Sequence, residues 1–416
     1  MAVLKPFKGI RPPKDIVENL SCLPYDVMNS DEAAKMTEGK KESLLYVTHA
    51  EIDCPEGTNM YSETVYNKAA ENFEKIQKNG WLIQDSERKF YIYAQTMDGR
   101  TQYGIVGCAW CEDYFNEIIK KHELTRPDKE DDRMVLTRYT NANIEPVFFS
   151  YRAVSEIDEI VKNIVDNQEP DYDFVAEDGF GHHFWSVNSA DTNKRIEELF
   201  ATKVPYLYVA DGHHRTAAAS RIGREKAQQN PNHTGNEEYN FFMAVNFPDN
   251  QLNIIDYNRV IKDLNGLSKE EFMNKLSDVM DIREMGSEIY KPAKLHEFSM
   301  YIDGIWYKLN AKEDTYDDND PLKTLDVNVL SDYVFDKILG IDDLRTSKRI
   351  DFVGGIRGLG ELKKRVDSGE MTIAFALYPV SMKQLLDIAD TGNIMPPKTT
   401  WFEPKLRSGL VIHKLD

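Results

Sequence analysis

Cysteine is scarce in this chain, with four residues in 416. That density does not support a disulfide framework. Cys108 and Cys111 form a C-x-x-C, "CAWC", in a strand-like stretch. No second pair completes a zinc site, so two packed thiols are expected rather than a redox or metal pair. Positive charge is also in short supply: 51 Lys and Arg against 70 Asp and Glu leave a formal net charge of -19. That field argues against a nucleic-acid backbone as partner, while a local basic pocket still admits an acidic small molecule. No apolar run approaches about 18 residues, which argues against a membrane span. The opening "MAVLKPFKGIRPPKD" lacks the apolar segment of a signal peptide, so a soluble, cytoplasmic protein is expected. The H-E-x-x-H spacing is absent, which argues against a zinc hydrolase.

What is present is enough apolar sequence, 41% of residues, to build a packed core in two or three domains. Strand and helix signals are mixed throughout. "SLLYVTHAEID" reads as a strand and "ETVYNKAAENFEKIQKNG" as a helix with Tyr66, Ala69, Ala70 and Phe73 on one face. "KFYIYAQ" and "TQYGIVGCAW" alternate as strands around the hairpin turn "MDGR". "NFFMAVNF" and "LNIIDYNRVI" read as strands joined through "PDNQ" as a hairpin, and "SMYIDGIWYKLN" reads as a hairpin with an Asp-Gly turn. Asn29 or Ser30 is placed to cap a short helix, and Ser268 with Glu271 makes a capping box. The fold class is therefore α+β, a mixed α/β arrangement. A main domain over 1–310 and a strand–helix region over 324–416 are expected, with the acidic stretch 311–323 as linker.

The most informative segment is "YLYVADGHHRTAAAS", residues 206–220. A buried-type strand hands over to a helix at Gly212. A glycine there lets backbone N–H groups approach a ligand, and a helix N-terminus attracts anions. Arg215 adds a planar fork suited to phosphate. Asp211 is a candidate ligand for Mg²⁺ or acceptor of a hydroxyl proton, and His213 and His214 are candidates to donate to phosphate or shuttle protons. The plain alternative is a helix capped by Asp211 beside a half-buried histidine.

Three further segments offer partners. "KKHELTRPDKEDDR" (120–133) brings His122, Glu123, Arg126, Lys129, Asp132 and Arg133 just ahead of the strand "EPVFF", either as a solvated charge run or as a phosphate and metal platform. "MPPKTTWFEPKLRSG" (395–409) spaces Lys398 and Lys405 along an extended, proline-held chain. "LPYDV" (23–27) presents Asp26, as a ligand-facing or a capping residue. "GGIRGLG" (354–360) does not fit either phosphate-loop glycine pattern. His182 and His183 are neighbours on a strand and point to opposite faces.

Taken together, "PYDV", "KHELTRPDKEDDR", "YVADGHHRTAAA", "DYNRVI" and "MPPKTTWFEPKLRSG" resemble a prokaryotic family catalogued as a domain of unknown function, number ten-fifteen, from about Phe7 to the C-terminus. "VADGHHR" is in addition similar to the phosphate-binding signature of the ParB/sulfiredoxin-like superfamily, where a strand leads into a Gly-x-x-Arg turn at a helix N-terminus. The superfamily includes partition proteins, ATP-using sulfiredoxins and free L-serine kinases with an Asp-Gly-His-x-Arg motif. The match covers Asp211, Gly212, His213 and Arg215. The sulfiredoxin cysteine has no counterpart here, and the charge of -19 disfavours a partition protein.

The resemblance then implies a ParB/sulfiredoxin-like core and a small-molecule kinase acting from ATP or ADP with Mg²⁺ on a hydroxylated metabolite such as free L-serine. In that reading Gly212, His213, His214 and Arg215 hold phosphates, and Arg126, Lys129, Lys398 and Lys405 balance charge. Asp211, Glu123 or Asp26 orients the acceptor. The alternatives are a non-catalytic nucleotide- or phosphometabolite-binding regulator and, third, a phosphatase or other hydrolase.

Overall fold

The alternating segments on either side of "MDGR" form the strands Tyr91–Met97 and Arg100–Trp110, paired antiparallel from Tyr91↔Val106 to Met97↔Arg100. Asp98 and Gly99 both take positive φ, as the tight hairpin turn requires. In this computed structural model, which describes residues 1–416, the hairpin lies inside a nine-stranded sheet. The strand order is Ile119–Lys120, Leu207–Asp211, Val147–Tyr151, Phe241–Pro248, Arg100–Trp110, Tyr91–Met97, Gly181–Ser186 and Tyr172–Val175, with Leu4–Lys5 pairing on Arg100–Trp110. Two pairings are parallel, Ile119–Lys120 with Leu207–Asp211 and Val147–Tyr151 with Phe241–Pro248; the others are antiparallel. The fold is thus a mixed α/β fold around a multi-stranded sheet.

Two compact units share the chain: Met1–Leu252 with Pro404–Asp416, and Asn253–Glu403. In the first, Ile157, Ile164, Ile196 and Phe200 of the helices Ser155–Asn167 and Ala190–Lys203 pack with Phe149, Val209 and Phe242 of the sheet. Burying a side chain of that size is worth about 2 kcal/mol. A second cluster joins Tyr66, Ala69 and Phe73 of the helix Glu63–Lys78 to Leu44, Leu45 and Val47. The expected strand "SLLYVTHAEID" is helical here, over Leu45–Thr48 and Ala50–Asp53. Its backbone bonds close locally, Thr48 N–H to the Leu44 carbonyl and His49 N–H to that of Leu45, while its apolar side chains bury against the Glu63 helix.

The second unit is built on a six-stranded antiparallel sheet in the order Met280–Gly286, Ile305–Ala311, Glu297–Ile302, Ile373–Leu377, Tyr257–Ile261, Ile350–Gly354. The Asp303-Gly304 hairpin and the Ser268–Glu271 capping box are both present. "PDNQ" is not a hairpin. Phe241–Pro248 belongs to the first unit's sheet, Asp249–Gln251 is a 3₁₀ turn, and Tyr257–Ile261 pairs within the second unit. The chain changes unit just after this turn and returns at Pro404, so the acidic stretch 311–323 lies inside the second unit rather than between units. No helix is long and apolar enough to cross a membrane.

The alanine-rich segment forms the helix His213–Gln229 and packs on the helix Pro127–Thr140 through Ala218, Ile222 and Met134. Gly223 sets how closely it seats. A Cβ there would lie 2.5 Å from Cys111 Sγ and 2.8 Å from the Tyr239 carbonyl oxygen. Cys108 and Cys111 are free, buried thiols, and burial pushes both up, as expected for packing rather than redox chemistry. Gly223→Ala is expected to cost roughly 1–3 kcal/mol of stability by overpacking. Urea unfolding checks this, and an unchanged midpoint would mean that the helix does not seat on Cys111.

Candidate functional site

The strand Leu207–Asp211 carries a bulge: Val209 faces Phe149 and Asp211 faces Phe148, leaving Ala210 as the extra residue. Bulges of this kind re-aim the side chains that follow. Gly212 then turns the chain with φ 88° and ψ 36°, in the left-handed region, and stands as N-cap of the His213 helix without a side-chain cap. Asp211 therefore does not cap the helix, and the first-turn N–H groups, which have no intrahelical acceptor, point toward the turn. The Arg215 guanidinium lies over the glycine, since a Cβ at Gly212 would stand 3.2 Å from both Nε and Nη2.

Asp211 is held between two cations. Arg215 Nη2 donates to Oδ2 at 3.2 Å, and Lys405 Nζ lies 3.5 Å from Oδ1. Burial raises the Asp211 carboxyl, but Lys405, Arg215 and His213 outweigh it and keep the group below its ordinary value. Arg215 is itself buried, and its Nη1 donates to the Pro146 carbonyl at 2.5 Å. Its Nε has no hydrogen-bond partner. Lys405 reaches the turn because its segment is stitched to the strand Tyr91–Met97. Gln95 Nε2 donates to the Lys405 carbonyl at 2.9 Å, and Arg407 N–H donates to Tyr93 Oη at 3.2 Å.

Two parallel strands bring the histidines together. Tyr208 and Lys120 are Cα partners, so His122, two residues past Lys120, arrives level with the end of the Leu207 strand and beside His213. The His122 and His213 rings meet edge-on, with centroids 4.6 Å apart. Glu123 Oε2 lies 4.0 Å from His213 Nδ1. Both imidazoles are buried, and burial is the main cause that lowers His122 to about 3 and His213 to about 4. His214 behaves differently. Its Nε2 accepts the Arg126 N–H at 3.0 Å, which leaves the proton on Nδ1, and burial lowers it against the pull of Glu123, Asp26 and Glu130.

The remaining expected residues divide. Asp26 sits exposed on the 3₁₀ turn Tyr25–Val27, which is tied down where Tyr25 N–H donates to Glu145 Oε1 at 2.9 Å and Arg133 lies 3.8 Å over the Tyr25 ring. It is close enough to act on Arg215, which Asp26, Glu145 and Asp211 raise against the lowering effect of burial. Arg126 is largely exposed and pairs with Asp128 at 2.7 Å. Lys129 donates to Tyr61 Oη at 3.0 Å, on the outer side of its helix. Lys398 belongs to the second unit, with its ammonium 5.8 Å from the Tyr257 ring. Asp211, expected as a Mg²⁺ ligand, has a cation at each oxygen, an arrangement that suits bracing the turn more than holding a further cation. Glu123 and Asp26 are the oxygen donors left for that ion.

Several contributors escaped the motif reading. Glu145 takes the Tyr25 N–H on one oxygen and faces Arg133 Nη1 at 3.4 Å on the other. Arg407, buried, donates to Asp178 at 2.8 Å, and His182 Nδ1 lies 2.7 Å from Tyr93 Oη. A cavity of about 40 Å³ lies beneath the turn, lined by Arg133, Glu145, Val147, Arg215, Ala218 and Phe242 among others. That is room for a bridging water but not for a substrate.

Histidines kept neutral by burial make stability depend on pH. The unfolded chain binds their protons near pH 6.5, while the folded chain waits until about pH 4 for His213 and about pH 3 for His122. Between those limits the unfolded state holds more protons, so stability falls as pH drops from 6.5 toward 4, by up to about 1.4 kcal/mol per pH unit for each group. Denaturant unfolding across that range is expected to show the loss, with imidazole NMR signals of His122 and His213 unshifted down to pH 5.

No curated protein matches the chain. Among solved structures, it is similar to a conserved hypothetical protein from Pyrococcus furiosus, at 13% identity over 71% of this chain and 93% of that one, with a TM-score of 0.35. A free serine kinase in complex with AMP aligns at 12% identity over 71% of this chain and 89% of that chain, with a TM-score of 0.36. SbnI from Staphylococcus aureus, truncated at its C-terminus, aligns at 10% identity over 73% and 87%, with a TM-score of 0.31. A family model described as "Protein of unknown function (DUF1015)" matches residues 4–328, and the chain belongs to that family.

Proposed function

We propose that the Asp211–Arg215 turn binds the phosphates of a nucleotide and that the protein transfers a phosphoryl group from ATP or ADP to a hydroxylated metabolite, with free L-serine the first acceptor to try. The observation that carries this reading is the convergence of an uncapped helix N-terminus, Arg215 and Lys405 on one glycine turn beside Glu123. Phosphoryl transfer asks mainly for positioning and charge neutralisation, and this arrangement supplies both. The backbone N–H groups of the first helical turn would hold the phosphate oxygens, with Arg215 adding positive charge beside Gly212. Lys405 balances the charge that builds up as the bond to the leaving group breaks. Asp211 braces these cations, so the acceptor hydroxyl falls to Glu123 or Asp26 to orient. Mg²⁺ would add charge neutralisation between the phosphates and whichever of these carboxylates faces them.

Incubation with ATP or ADP, Mg²⁺ and a set of hydroxylated metabolites including L-serine is expected to give a phosphorylated product by mass spectrometry. Nucleotide binding without product would turn the reading toward a regulator. Absence of nucleotide binding would turn it toward a hydrolase or another ligand. Lys405→Met is expected to weaken nucleotide binding at least tenfold by calorimetry. Arg215→Ala is expected to do the same, but it also leaves the Pro146 carbonyl and Asp211 without their donor, so its unfolding midpoint should fall as well. Unchanged affinity in Lys405→Met would remove the phosphate role of this end of the turn.

A further inference from the structure

We infer that His122, Glu123 and His213 form a binding site for one divalent transition-metal cation, such as Zn²⁺. One possible ligand atom from each residue lies within 4.8 Å of the other two. Tetrahedral coordination with bonds of about 2.0–2.2 Å needs ligand atoms about 3.3 Å apart, so the groups must close by up to about 1.5 Å. Glu123 can supply most of that movement, because its side chain is 37% exposed while His213 is fixed in the fold.

His213 is the decisive residue. His49 and His182 also leave Nε2 unpartnered, but they and His413 each hold a hydrogen bond at Nδ1 within 3.0 Å. His213, only 8% exposed, has no hydrogen bond at Nε2, and the carboxylate nearest its Nδ1 stands 4.0 Å away, beyond hydrogen-bond reach. A buried polar group left in this state is costly unless something else binds it. The His296 cluster shows the contrast. There both ring nitrogens sit 3.0 Å from carboxylates of Asp326 and Asp318 and Tyr316 stacks on the ring, so the ring is satisfied without an ion.

The donor set selects the ion. Two neutral imidazoles and one carboxylate suit Zn²⁺ and its neighbours, whereas Mg²⁺ prefers an all-oxygen shell. Glu123 brings a negative charge to the rings. Three protein ligands leave a fourth position for water or a ligand oxygen, the pattern of an open rather than a purely structural site. Glu123 would then be a metal ligand, and Asp26 would be the carboxylate left to face an acceptor. The inference does not depend on nucleotide binding, because it concerns the metal alone.

The test is titration of chelator-treated, full-length protein with Co²⁺, read by visible d–d absorption, and with Zn²⁺, read by calorimetry, both without nucleotide. One equivalent is expected to bind with absorption of mixed nitrogen and oxygen ligation. His213→Ala and Glu123→Gln are each expected to weaken binding at least tenfold, while His233→Ala, which alters a surface histidine paired with Glu237, is expected to bind as the unaltered protein does. Glu123→Gln changes a partly exposed side chain and keeps the test valid if His213→Ala fails to fold. Absence of stoichiometric binding, or equal affinity in Glu123→Gln, or loss of binding in His233→Ala, would overturn the site. A protein that binds Co²⁺ in this way but not ATP or ADP would retain the metal site and lose the nucleotide reading.

Discussion

The Asp211 carboxylate, held between Arg215 and Lys405, is the interaction on which the candidate site depends. It joins the end of a strand, the first turn of the following helix and a segment that returns 194 residues later. Arg215 extends the same link to the Pro146 carbonyl at the start of the neighbouring strand. A part-buried carboxylate is costly to desolvate, and it is tolerated here because two cations and the helix N-terminus offset that cost. Removing either cation would leave charge without its counterpart and loosen the glycine turn. The ion cluster therefore fixes the geometry of the turn before any ligand arrives.

The second constraint is the parallel pairing of two residues, Ile119 and Lys120, on the Leu207 strand. It is short, yet it decides which side chains share the end of the sheet. Parallel strands deliver their following loops to the same edge, so His122 and Glu123 meet His213 although some ninety residues of chain separate them. The two successive histidines then face different surroundings. His213 turns inward against His122, while His214 turns outward to take the Arg126 N–H. One helical step of about 100° accounts for that division.

Much of the local structure could be read from sequence because it is set by neighbouring residues. The capping boxes at Asn29 and Ser268, the hairpin turns at Asp98-Gly99 and Asp303-Gly304, and the strand-to-helix passage at Gly212 all rest on contacts a few residues apart. The errors came where distant packing decides. "SLLYVTHAEID" has the composition of a strand, but its leucines are buried by the Glu63 helix and its backbone bonds close on themselves. "PDNQ" has hairpin chemistry, but the strands on either side of it belong to different sheets. Nothing in "EPVFF" or "MPPKTTWFEPKLRSG" singles out Glu145 or Arg407, because their roles come from pairing with Tyr25 and Arg133, and with Asp178 and Tyr93. Lys398 and Lys405 look alike in sequence, seven residues apart, yet the chain changes unit between them.

Charge at the turn sets the kind of ligand that suits it. The chain carries a net charge of -19, so an anion approaching most of its surface is repelled. At the turn, Arg215 and Lys405 share one carboxylate, which leaves about one unit of positive charge plus the partial charge of the helix end. Arg126 and Lys129 add little, since the first is neutralised by Asp128 and the second is turned toward Tyr61. Glu123, Asp26 and Glu130 are close enough to act on His214. A polyphosphate carries more negative charge than this balance accommodates. A divalent cation among His122, Glu123 and His213 would supply the difference from within the site, and it would convert the acidic side of the turn from a barrier into the second half of an anion pocket. Anion affinity and metal affinity at this turn would then be linked, each raising the other by the same factor.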